Sequence, residues 1–257
     1  MAKRLAHKVS SEVFPAYATG FLVASFVLFL VVGDRRSSDP TDSGRGSFAL
    51  GSITREWFYW LMTPLQRLAV RILPWPTAFN VGGALLGLLS GYLFATGSVI
   101  AGGWALLASG VADIFDGRIA RARGMDSPRG AFLDSTLDRF AEVGALAGLT
   151  AMYIDTWLAP MATLGLGGSL LVSYTRARGE SVGVVCKLGV MQRAERILLL
   201  GLGAIFDPLI TRSLGWEANS VLTAALLATV AGTVGTALFR TVWIASRLPT
   251  TSASAEE

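Results

Sequence analysis

The chain has 257 residues, of which 52% are hydrophobic and only 16% charged, and its mean hydropathy is +0.53. A soluble domain carries about 25% charged residues, so a water-soluble globule is excluded in favour of a helical membrane protein. One cysteine, Cys186, and one histidine, His7 in the N-terminal tail, exclude an internal disulfide framework, a Cys/His metal centre and a histidine-based triad in the body of the protein. The net charge of +4 is not laid along a groove interleaved with aromatics, so no nucleic-acid partner is expected. Anionic lipid or a phosphorylated substrate suits it better.

In chain order, the first apolar run is 14–33, long enough for a bilayer core. It reads as an extra N-terminal hydrophobic segment, either a span or a half-buried hairpin; no small-residue cleavage site follows it, against a signal peptide. Residues 34–48 are polar, with Pro and Gly, and form a linker. Residues 1–48 thus make an N-terminal extension. Over 53–73, Ile53, Trp57, Leu61, Leu65, Leu68 and Ile72 recur at three- and four-residue steps, while Arg55, Glu56, Gln66, Arg67 and Arg71 mostly lie off that stripe. This is the pattern of an N-terminal interfacial amphipathic helix, an ordinary packing helix being the alternative.

Six further apolar stretches follow at 80–99, 101–121, 131–153, 157–178, 192–210 and 219–246. Sustained two-residue alternation is absent from the sequence, against a β-barrel. The expected fold is an all-α integral membrane protein: a six-helix transmembrane bundle, with its interfacial helix, occupying residues 49–247. Residues 248–257 form a short polar tail expected to be disordered.

Orientation follows from the cations. If the six spans alternate, Arg118, Arg121, Arg123 and Arg129, then Arg176, Arg178, Lys187, Arg193 and Arg196, then Arg240 and Arg247 fall at one face. The opposite loops hold Arg212 beside Asp155, Asp207 and Glu217. The positive-inside rule places the basic face in the cytoplasm, in the cell membrane.

The stretch from Val111 to Phe140 concentrates the acids. Asp113 and Asp116 are three apart and Asp134 and Asp138 four apart, so each pair shares a helix face. Gly124 and Pro128 sit between the two helices, so a hairpin is expected whose acidic faces meet at the cytoplasmic end. Four such carboxylates repel one another and are costly within a membrane protein. A hard divalent cation, Mg²⁺ or Mn²⁺, relieves both problems and commonly bridges to substrate phosphates. Salt bridges to Arg118, Arg121, Arg123 and Arg139 are the competing explanation.

Asp113-x2-Asp116-Gly117-x2-Ala120-Arg121-x8-Gly130-x3-Asp134-x3-Asp138 resembles the signature of the CDP-alcohol phosphotransferases, and every specified position is present. The resemblance spans residues 53–247 and leaves out 14–33. It implies a six-span membrane enzyme, a homodimer, and displacement of CMP from a CDP-linked lipid, CDP-diacylglycerol, by a polar alcohol. It further implies two Mg²⁺ (or Mn²⁺) ions per active site held by Asp113, Asp116, Asp134 and Asp138. Asp138 would be the general base, and Gly117, Arg121 and Asp116 would bind the nucleotide donor. Before the first core helix the family tends to carry a threonine near the nucleotide; here Asn80 stands in that place, and it too can donate and accept hydrogen bonds.

For the acceptor, Ser173-x2-Arg176-x-Arg178 followed by Arg193-x2-Arg196 is similar to the phosphatidylinositol-phosphate synthase branch of the family. That branch places the phosphate of inositol 1-phosphate on the matching positions. Arg176 stands where lysine is more usual. Glycerol 3-phosphate is the alternative acceptor, and the basic residues also fit a bare topology signal. Two readings of other kinds compete. An intramembrane prenyltransferase would carry two separated Asp-rich motifs, and a cation-binding transporter would show repeats or broken helices near the midplane. Gly83, Gly87 and Gly91 line one face of the first core span, for close packing within the chain or for dimerisation.

Overall fold

The computed structural model describes residues 75–125 and 127–249, together with 24, 25, 28–30, 60, 61, 63 and 64. The hydrophobic segment 14–33, the linker 34–48, the amphipathic helix 53–73 and most of the tail therefore lie outside the described residues, apart from those short helical pieces. Within the pieces, the rings of Phe29 and Trp60 lie 5.9 Å apart.

Six long helices carry the rest: α1 (Pro76–Ala95), α2 (Val99–Arg123), α3 (Pro128–Met152), α4 (Leu158–Ser181), α5 (Arg193–Leu214) and α6 (Ser220–Ala245). Their boundaries follow from local chemistry. Proline opens α1 and α3, where a missing N–H costs nothing. Ser127 caps α3 by accepting the Gly130 N–H at 3.1 Å. Gly124 ends α2 at φ +61, and the Met125 N–H returns to the Ala120 carbonyl at 2.9 Å; a side chain would be strained in that left-handed turn.

The helices close into a ring in which α1 packs on α2 and α3, α2 on α5, α5 on α6, α6 on α4, and α4 on α3. The expected α2–α3 hairpin is therefore corrected in one respect. The two helices adjoin only weakly, because α1 lies between them along most of their length. The packing explains the glycines. A side chain on Gly91 would strike the Gly144 backbone, one on Gly148 the Gly91 backbone, and one on Gly87 Ala141, while one on Gly83 would press against Ala112 of α2 at 3.3 Å. The glycine face serves contact within the chain. Ser109 Oγ donates to the Gly83 carbonyl at 2.7 Å and Ser90 Oγ to that of Gly102 at 2.8 Å, which locks α1 to α2.

The bundle is apolar through its middle, where Phe94, Leu106, Leu146, Leu149, Leu222 and Leu226 are buried together. Five of the helices are long and apolar enough to cross a membrane; α3 is not among them. It has the length, at 25 residues, but Asp134, Asp138, Arg139 and Glu142 lower its apolarity. The expected count of six spans is thus met by five helices on composition alone.

Candidate active site

The last turns of α2 and the first turns of α3 and α5 meet at one end of the ring. Asp113 and Asp116 come from α2, Asp134 and Asp138 from α3, and Arg193 opens α5. Carboxylate oxygens of Asp113, Asp116 and Asp134 all lie within 4.8 Å of one another. Asp116 is only 3% exposed and accepts the Gly117 N–H. Asp134 Oδ1 is buried with no hydrogen-bond partner among the described residues.

Asp138 departs from the expected four-carboxylate cluster. It stands outside the three-Asp group, and Arg193 joins it to that group. Arg193 Nη1 is 2.7 Å from Asp113 Oδ2, and Nη2 is 2.8 Å from Asp138 Oδ1. Arg139 Nη1 lies 3.9 Å from Asp138 Oδ2. Three close carboxylates, one with a buried oxygen left unpartnered, form a donor set that fits a hard divalent cation of the Mg²⁺ or Mn²⁺ type.

The nucleotide-side candidates flank this group. A methyl on Gly117 would come within 3.3 Å of Arg121 Nη1, so the guanidinium lies against the bare glycine backbone. Phe79 packs edge-on against Phe115 with centroids 5.9 Å apart. That contact docks the start of α1, with half-buried Asn80, beside the turn that carries Asp116.

The acceptor-side residues come from α4 and the start of α5. Ser173 is half-buried, and Arg176 and Arg178 are exposed on α4. Arg176 Nε pairs with Glu180 Oε1 at 3.0 Å, and Arg178 Nη1 donates to Ser181 Oγ at 3.3 Å. Arg193 is drawn into the carboxylates. Arg196 is 2% exposed, its Nε pairs with Glu142 Oε1, and its Nη1 donates to the Met191 carbonyl at 2.9 Å.

Buried charged residues outside the candidate set include Glu142, Arg240 and Asp207. Glu142 extends the Asp134–Asp138 ladder by one more four-residue step, and that spacing was a readable signal. Arg240, which the charge pattern places among the cations of one face, is 2% exposed. Its Nε donates to the Leu188 carbonyl and its Nη1 to that of Val172, both at 2.7 Å. An arginine inside the apolar run 219–246 was the available clue. Asp207, counted as a loop acid, is likewise buried at 2% exposure.

A ring of apolar helices with a carboxylate cluster that fits a divalent cation at one end is the scaffold of a membrane protein with a candidate metal site. Residues 75–235 match the family model of CDP-alcohol phosphatidyltransferase, and the chain belongs to that family. An archaetidylinositol phosphate synthase from Methanothermobacter thermautotrophicus is 43% identical over 117 residues, which is 46% of this chain and 59% of that protein. The chain thus spans under two thirds of that relative's length. A phosphatidylinositol phosphate synthase from Mycobacteroides abscessus is 32% identical over 162 residues, 61% of this chain and 74% of the relative. The fold is shared with the crystal structure of Mycobacterium tuberculosis phosphatidylinositol phosphate synthase in complex with manganese and citrate. The TM-score is 0.62 at 24% identity, covering 76% of this chain and 92% of that one. The same synthase with CDP-DAG bound gives a TM-score of 0.61 at 24% identity, over 76% and 97% of the two chains. Family and helices together make this an integral membrane protein.

Proposed function

We propose that the protein transfers a phosphatidyl-type group from a CDP-linked lipid, CDP-diacylglycerol, to a hydroxyl of a phosphorylated polyol and releases CMP. Inositol 1-phosphate is the favoured acceptor. The observation that carries the reading is the convergence of Asp113, Asp116 and Asp134 at the end of the ring, on the residues of the family signature. The relatives' names differ in the lipid, archaetidyl against phosphatidyl, and agree on inositol phosphate, which supports the acceptor.

In this reading Asp113, Asp116, Asp134 and Asp138 hold two Mg²⁺ or Mn²⁺ ions, which would neutralise the donor diphosphate and the departing CMP. Arg121 lies along the diphosphate, Gly117 lets the nucleotide approach the backbone, and Asn80 contacts the nucleotide. Asp138 Oδ2 takes the proton of the acceptor hydroxyl. The hydroxyl oxygen bonds to the lipid-bearing phosphorus as the anhydride bond to CMP breaks, so charge and atoms balance. Arg193, with Ser173, Arg176 and Arg178, faces the acceptor phosphate. The site opens to the cytoplasm, residues 49–247 form the catalytic unit, and the protein works as a homodimer.

The deciding experiment supplies purified protein with CDP-diacylglycerol and Mg²⁺ and follows CMP release with inositol 1-phosphate, glycerol 3-phosphate, free inositol and serine. Turnover with inositol 1-phosphate, abolished by chelator, is expected. Equal turnover with free inositol removes the phosphorylated acceptor, and no CMP release with any alcohol removes the transferase reading. Asp138→Asn is expected to lower kcat by about 10²-fold or more.

A further inference from the structure

The position of Arg193 bears on how the site is assembled. Its two terminal nitrogens are shared between α2 and α3, 2.7 Å from Asp113 Oδ2 and 2.8 Å from Asp138 Oδ1. These are signature carboxylates, and a divalent cation requires their oxygens too. The guanidinium and the divalent ions draw on the same negative charge, so each weakens the other's hold on these carboxylates. A cation already in place lowers the net affinity of the cluster for another cation by the free energy of the bonds it must give up.

Arg193 is held through its two terminal nitrogens. Its Nε is buried with no hydrogen-bond partner among the described residues, so no bond at that nitrogen fixes the side chain. On one side it borders a small cavity, about the size of one water, lined also by Leu106, Ser109, Ala141, Glu142 and Arg196. Arg196, one helical step further along α5, cannot take its place because Glu142 and the Met191 carbonyl hold it.

We propose that Arg193 is an internal counter-ion that competes with the divalent cation for Asp113 and Asp138, so that cation loading releases this guanidinium to the acceptor phosphate. The inference rests on the metal-dependent reading given above. It adds that metal and acceptor binding are coupled through one side chain. Before loading, the arginine holds α2 and α3 together through Asp113 and Asp138. After loading, the cations take over that cross-link and the arginine is presented to an anion. By linkage, a phosphorylated acceptor then tightens cation binding by the same factor as the cation tightens acceptor binding.

The test reads Mn²⁺ affinity by electron paramagnetic resonance on the purified full-length protein, with no lipid donor and no turnover. Arg193→Gln is expected to bind Mn²⁺ about tenfold more tightly than the wild type, the scale of a close charge-pair coupling. Arg247→Gln removes one positive charge at the same end of α6 and is expected to leave Mn²⁺ affinity unchanged. Inositol 1-phosphate is expected to tighten Mn²⁺ binding in the wild type and to lose that effect in Arg193→Gln. Arg193→Lys keeps the charge, but its single ammonium cannot bridge two carboxylates, so about a threefold tightening is expected. That variant decides the question if Arg193→Gln does not elute as folded protein. Unchanged or weaker Mn²⁺ binding in a folded Arg193 variant overturns the counter-ion role while leaving the transferase reading intact. Absence of Mn²⁺ binding by the wild type overturns both this role and the metal-dependent reading.

Discussion

Arg240 on α6 donates from Nε to the carbonyl of Leu188 at 2.7 Å, so a cation from within an apolar helix fastens the connector between α4 and α5. Its Nη1 reaches the Val172 carbonyl of α4, and Thr236, one turn earlier on α6, accepts the Met191 N–H at 3.2 Å. The connector 182–192 is thereby drawn onto the bundle end immediately before Arg193. Replacing Arg240 by Met removes two charge-assisted bonds and strands two carbonyls, an expected loss of about 2–4 kcal/mol. Arg240→Lys recovers only part of this, since one ammonium cannot satisfy two separated carbonyls as a fork does. Denaturant unfolding in detergent checks the order wild type, Lys, Met.

Glu142 and Arg196 form a pair buried at 8% and 2% exposure. Removing one partner leaves an uncompensated buried charge, so Glu142→Leu or Arg196→Met alone is expected to destabilise by about 3–5 kcal/mol. The double variant Glu142→Leu/Arg196→Met is expected to recover most of that loss. A double-mutant cycle on unfolding free energy measures it. Additive losses would mean that the two side chains act independently. If Arg196 were instead an acceptor ligand, its variant would raise acceptor KM while leaving stability unchanged.

Asp207 lies on α5 one residue before Pro208 and caps α6 from a distance. Its Oδ2 accepts the Asn219 N–H at 2.8 Å, and its Oδ1 accepts those of Val221 at 2.8 Å and Leu222 at 3.2 Å. Asn219 sits at φ +68, a conformation that these bonds help to hold. Asp207→Ala leaves three N–H groups at a helix start without their acceptor and is expected to cost about 2–4 kcal/mol. Asp207→Asn keeps one acceptor oxygen and is expected to cost about half as much. The site is at the other end of the ring, so kcat per folded molecule is expected to stay near wild type in both.

Topology is tested by cysteine labelling. With the native Cys186 buried, single cysteines placed at Arg123 and Arg247 are expected to resist a membrane-impermeant thiol reagent in intact cells, while one at Arg212 is labelled. The reverse pattern would put the carboxylate cluster outside the cell. The test leans on the exposed arginines at the bundle ends, because half-buried Arg193 and buried Arg196 and Arg240 serve interior contacts and carry less weight as topology signals.

The sequence by itself determined the helices and the chemistry. An apolar run long enough to cross a bilayer admits little but a helix, and Gly124 with Ser127–Pro128 marks the turn between α2 and α3. Asp113, Asp116, Asp134 and Asp138 declare their faces by three- and four-residue spacing, because those steps are one turn of a helix. What spacing cannot convey is which helices become neighbours. Only the ring closure decided that α1 would lie between α2 and α3, and that α5 would bring Arg193 between Asp113 and Asp138. The basic residues show the same division. Arg176, Arg193 and Arg196 look alike in sequence as cations at helix ends, and Arg240 differs only in lying inside an apolar run. Whether each meets solvent, a carboxylate or a buried carbonyl depends on the helix packed opposite, since a charge in a membrane protein is governed by the partner that desolvates it.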